Sequence, residues 1–149
     1  MNLDQLLARK PDARTLASWL EKVPYARFLG MQAKVDEQDI LFVLPENKKL
    51  IGNPSLPALH GGVVGAFMEQ AAAFELVAKM EQPVLPKIID LSLDYLRPVR
   101  LATAYARCQV TRQGKVIANV SVTTWQEDPS KPNATARAHF LVKAKTADN

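Results

Sequence analysis

The chain has 149 residues, 48% of them hydrophobic and 23% charged, a balance that fits one globular domain and excludes disorder over most of the length. A single cysteine, Cys108, excludes an intramolecular disulfide framework and any cysteine-rich metal site, and two histidines, His60 and His139, are too few for a histidine cluster unless carboxylates do most of the ligation. Lys and Arg number 19 against 15 Asp and Glu, a net charge of +4 that reads first as a solubilising surface. If the charge serves a partner, that partner is anionic; the basic residues are scattered in pairs and the 7% of aromatics are not interleaved with them, so a phosphate-bearing small molecule is favoured over nucleic acid.

Thr15–Val23 carries Leu16, Trp19, Leu20 and Val23 at helical spacing behind Asp12, with Pro24 as the stop. Phe28–Val35 and Ile40–Leu44, separated by Asp36–Asp39, read as a β-hairpin. Residues 45–59 read as a loop, with Pro54, Pro57 and Gly52-Asn53 as its punctuation. Gly61-Gly62 then opens a long apolar helix ending near Met80. From Ile89 the pattern alternates, with Leu91, Leu93 and Tyr95 on one face and Asp90, Ser92 and Asp94 on the other, up to Pro98. Residues 101–112 and 115–126 read as strands joined at Gln113-Gly114, and Glu127–Asn133 as a turn into a last strand from Ala134 to Val142.

The order is then short helix, hairpin, one long buried helix and three long antiparallel strands. A helix apolar nearly all round must be covered on most of its circumference. A curved antiparallel sheet wrapping it, completed by a second subunit, is the α+β solution. Glu69, Gln70 and Glu75 interrupt the apolar run of the helix, so it reads as wrapped by protein and not as a membrane span. The first residues hold too short an apolar run for a secretory leader, and a cytoplasmic chain is expected.

The chemistry-bearing stretch is Asn53 to Gly62 followed by Glu69. Gly61-Gly62 at a helix start leaves backbone N–H groups and the positive end of the helix dipole able to hold an anion or polarise a carbonyl, although such a pair is also a common turn. Glu69 shares its helical face with Gly62, Gly65, Ala66, Ala72, Ala73 and Leu76, which leaves room beside the carboxylate for a general-base role; the alternative is a solvent-facing acid. His60 is a cap or a site residue, and Asn53 a turn residue or an amide aimed into the same site. Glu75 with Lys79 at i+4 reads as a surface pair, His139 as a sheet-surface histidine, and Cys108, aligned with Ala104, Ala106 and Val110, as a buried thiol.

His60-Gly61-Gly62, an acid nine residues after the histidine, Tyr95-Leu96-Arg97-Pro98, the Gln113-Gly114 hairpin and Ala136–Phe140 resemble PaaI-like hotdog-fold acyl-CoA thioesterases over roughly residues 25–145. The resemblance implies a hotdog domain at 25–146 behind a helical extension at 1–24. It implies Glu69 as base or nucleophile, Gly61 N–H polarising the thioester carbonyl, His60 shaping the site, and Asn53, one residue off the family's spacing, positioning water or carbonyl. The family's occasional Ser/Thr on the third strand falls near Ile88, so no such residue is carried over. The glycines Gly62 and Gly65 would border the substrate, and Arg97 and Arg100 would meet nucleotide phosphates. Coenzyme A enters only within the substrate, with no metal or redox cofactor. The family builds its sites across a homodimer, often paired into a homotetramer. A hotdog dehydratase or hydratase fits less well, since it would carry a proline-rich motif at the helix entrance where this chain has His60-Gly61-Gly62, and a non-catalytic acyl-CoA-binding or assembly module is the alternative from another class.

Overall fold

The computed structural model describes Gln5, residues 12–37 and residues 39–143. Asp12 caps α1 (Ala13–Lys22), its carboxylate accepting from Thr15 N–H at 2.7 Å, and the helix buries Leu16, Trp19 and Leu20. Pro24 does not simply end this helix. It opens a second one, α2 (Pro24–Leu29), because proline suits the first helical position, where the missing N–H has no partner to lose. Gly30, at φ 71°, closes α2, donating to Arg27 O while Met31 N–H reaches Ala26 O. Phe28 and Leu29 are therefore helical, and the first hairpin strand starts later than its apolar run suggests. The parts of the expected spans at 1–4, 6–11 and 144–146 lie outside the described residues, as does Gln38 of the hairpin turn.

The hairpin is β1 (Gln32–Asp36) and β2 (Asp39–Leu44). The expected loop at 45–59 holds a 3-10 turn at Lys48–Leu50 and a two-stranded ribbon, β3 (Ile51–Asn53) with β4 (Ala58–Leu59). The long helix α3 (Gly61–Lys79) follows at once. Four long strands come after it, one on each of the four stretches read from Ile89 onward, although the element order read from the sequence counts three: β5 (Lys87–Tyr95), β6 (Ala104–Gln113), β7 (Ile117–Trp125) and β8 (Ala134–Leu141).

The main sheet has six antiparallel strands in the order β1-β2-β6-β7-β8-β5, and α3 packs across it from β2 to β5. This is the helix-in-sheet architecture that the resemblance implies. Phe67, Met68, Ala71 and Leu76 of α3 meet Phe42, Ala106, Val120, Val122, Ala138 and Phe140 of the sheet in one core. The sheet's own chain leaves α3 incompletely covered. Val63, Ala66, Glu69, Gln70 and Ala73 form a half-buried stripe along it, starting beside the exposed Gly62. On that same flank β5 is the sheet's edge, with Ile89 and Tyr95 each 55% exposed.

Glu75 does not lie on the surface. Only 4% exposed, it faces inward, with Lys79 Nζ 3.8 Å from Oε1 and Oε2 left without a hydrogen bond. Burial pushes its pKa up to about 7, opposed by the Lys79 charge. Cys108 sits nearby on β6; burial first, and the Glu75 charge second, raise its thiol well above the ordinary range. His139 lies on the outer sheet face, its Nδ1 3.9 Å from Asp90 Oδ2.

Candidate active site

The start of α3 is held by a histidine. His60 is extended (φ −60°, ψ 133°), and its Nδ1 accepts from Gly62 N–H at 2.9 Å. A neutral imidazole that accepts at Nδ1 carries its proton on Nε2. His60 N–H donates to Leu50 O, and the N–H groups of Val63 and Val64 both reach His60 O. Gly61 N–H makes no hydrogen bond among the described residues, so the donor that the resemblance assigns to the thioester carbonyl is unused. Gly62 N–H, by contrast, is already spent on His60.

An open cavity of about 410 Å³ lies at this helix start, bordered by Asn53, Leu56, Gly61, Val64, Tyr95 and Arg97. Its two walls are stitched together. Leu59 N–H donates to Val99 O, Leu101 N–H to Pro57 O, and Arg100 Nη1 to Leu56 O at 2.6 Å. Gln126 braces Arg100 from behind, accepting from its N–H and donating to its carbonyl. Asn53 borders the cavity, but its Oδ1 accepts from Ser55 N–H in a local turn, leaving the amide NH₂ as its free donor. Gly52 is pressed against His60, so close that a β-carbon there would lie 2.6 Å from His60 Cα.

The sequence-predicted residues separate into two groups. Gly61, Asn53 and Arg97 border the cavity, and His60 caps the helix that opens onto it. Glu69 does not: it lies eight residues along α3, about 12 Å down the axis from Gly61 at 1.5 Å per residue. Gly65 is a seat for Leu93, whose Cδ1 would be 3.0 Å from an added β-carbon. Arg97 and Arg100 have structural anchors, Arg97 Nη1 on Pro132 O at 2.7 Å and Arg100 as above. Sequence reasoning missed Tyr95, whose hydroxyl donates to Gly61 O at 2.7 Å. The YLRP motif contained it, but nothing in the spacing joins residues 34 positions apart.

No helix among the described residues is long and apolar enough to cross a membrane. Residues 56–133 match the model of the thioesterase superfamily. The chain is 28% identical over 120 residues to the medium/long-chain acyl-CoA thioesterase YigI of Escherichia coli, covering 71% of this chain and 77% of that protein. Among solved structures, a protein of Chromobacterium violaceum is 43% identical with a TM-score of 0.75, covering 95% of this chain and 99% of its own. The Escherichia coli PaaI protein from the phenylacetic acid degradation operon shares the fold at a TM-score of 0.75 and 20% identity, covering 97% and 99%. With the family match spanning more than half its length on a hotdog fold, the chain belongs to the thioesterase superfamily.

Proposed function

We propose that the chain hydrolyses acyl-CoA thioesters at a site shared by two copies, with no metal or redox cofactor and with coenzyme A present only as part of the substrate. The observation that carries this is the unused Gly61 N–H at the head of an open cavity, with the helix dipole behind it. The acid that would work with it cannot come from the same site, since Glu69 is about 12 Å away along α3. A second copy brings the two together. The half-buried stripe containing Glu69 and the exposed edge of β5 form one uncovered flank, which a two-fold partner would bury.

In this mechanism the thioester oxygen accepts from Gly61 N–H. Glu69 of the second copy takes a proton from water as the water oxygen attacks the carbonyl carbon. Gly61 N–H holds the resulting oxyanion. The C–S bond then breaks, and the coenzyme A sulfur leaves as thiolate and is protonated from Glu69. Asn53 NH₂ supports the water or the carbonyl, and Arg97 meets the nucleotide phosphates with the donors not bound to Pro132 O. Pairing of such dimers into tetramers is compatible with this site.

The test is release of free thiol from short, medium, long and aryl acyl-CoAs by wild type and Glu69→Gln. Turnover that falls by roughly 10²–10⁴ in the variant supports the reading. Undiminished turnover in Glu69→Gln defeats it, and binding without any thiol release points to an acyl-CoA-binding module instead.

A further inference from the structure

We propose that Tyr95 is a positioning residue that aims the Gly61 amide at the thioester carbonyl; the inference rests on the reading of Gly61 N–H as the oxyanion donor. Tyr95 ends the edge strand β5 and lays its ring over the first turn of α3, with Oη donating to Gly61 O at 2.7 Å. The ring lies over two glycines, at ordinary contact distance even for a β-carbon on either. A β-carbon on Gly61 would stand 3.4 Å from Oη, and one on Gly65 would stand 3.7 Å from Oη and 3.0 Å from Leu93 Cδ1.

The helix does not need this bond for its own sake. At a helix N-terminus the groups lacking intrahelical partners are N–H groups, whereas first-turn carbonyls already have acceptor roles in the ladder. Nor does Tyr95 belong to this chain's own core, since within a single copy it is 55% exposed. What the bond does is fix orientation. Glycine has the widest choice of backbone angles, and the N–H and C=O of Gly61 flank one Cα, so a tether on the carbonyl restrains the amide as well. His60 restrains the same turn from the other side through Gly62 N–H.

The hydroxyl also sorts what approaches. Its proton is committed to Gly61 O, so toward the cavity Oη presents only lone pairs. A substrate carbonyl oxygen is repelled there and finds its donor at Gly61 N–H.

Tyr95→Phe keeps the ring and removes the tether. It should lower kcat about 10-fold while KM stays within about 2-fold, as a misaimed donor rather than a lost site. The second readout is the C=O stretching frequency of a bound acyl-CoA ketone analogue, with methylene in place of the thioester sulfur. Wild type should shift it to lower frequency, and Tyr95→Phe should lose much of that shift. Unchanged kcat with an unchanged shift overturns the proposal, as does a variant in which kcat and KM worsen together with a fall in Tm. Loss of turnover in Glu69→Gln but not in Tyr95→Phe defeats Tyr95 alone. If wild type releases no thiol, the proposed function fails and the carbonyl shift by itself decides the role of Tyr95.

Discussion

Gly52 and His60 are packed backbone to backbone: a β-carbon on Gly52 would lie 2.6 Å from His60 Cα and 2.9 Å from its Cβ. Neither neighbour is a flexible tip that could swing aside. The glycine therefore fixes how closely the ribbon β3–β4 approaches the helix cap. Gly52→Ala must push the ribbon and the cap apart, at a cost of about 1–3 kcal/mol typical of overpacking. The expected result is a lower Tm together with a fall in thiol release, read by thermal unfolding and by the coenzyme A assay on the same preparation.

The amide of Gly61 can be removed without disturbing the helix. Gly61 is the first helical residue, where proline is tolerated, and His60 already has the extended conformation that a following proline requires. Gly61→Pro should fold with nearly the wild-type Tm and lose roughly 10²–10³ in kcat, the scale of one oxyanion donor. Mixing it with Glu69→Gln after unfolding and refolding together should restore about one quarter of wild-type activity, because half of randomly paired dimers hold one intact site of two. No recovery on mixing would argue that one chain supplies both groups.

Glu75 couples stability to pH. Burial raises its pKa from 4.5 to about 7 in the folded chain, so folding favours the protonated acid. Below about pH 4.5 the acid is neutral in both states and Glu75 costs nothing; as pH rises through 7 the folded chain must hold a buried charge, and this share of stability, about 3 kcal/mol at most, is lost. Glu75→Gln should raise Tm at pH 8 and change it little at pH 5, as followed by thermal denaturation across pH.

Arg97 tests phosphate recognition. Its Nη1 is anchored on Pro132 O beside the cavity, which leaves other guanidinium donors available. Arg97→Ala should raise KM for acyl-CoA about 10-fold and leave kcat nearly unchanged, since a contact made equally in ground and transition states alters binding alone. Toward an acyl-N-acetylcysteamine thioester, which lacks the nucleotide, KM should stay as in wild type.

The sequence carried the long helix, the hairpin turns and the alternating strands because their periodicities are local. It misplaced residues around Phe28, where an apolar run looked like a strand although Pro24 and Gly30 were the first-position proline and left-handed stop of a short helix. Glu75 misled for a different reason. An acid four residues before a lysine has the pattern of a solvated pair, and only the sheet packed against α3 makes it buried. The cap residue His60 and the unpaired backbone N–H of Gly61 were legible because capping is local chemistry. The edge position of β5 and the Tyr95 tether were not, since both depend on strand order, which no local pattern encodes.

The tip of the segment between β3 and β4 is fastened on both sides: Leu56 O to Arg100, Pro57 O to Leu101, Leu59 N–H to Val99, and His60 N–H to Leu50. Movement or lengthening of Pro54-Ser55 is thereby confined to the rim. An insertion there would lengthen the rim alone and leave the register of His60 and Gly61 at the head of α3 unchanged.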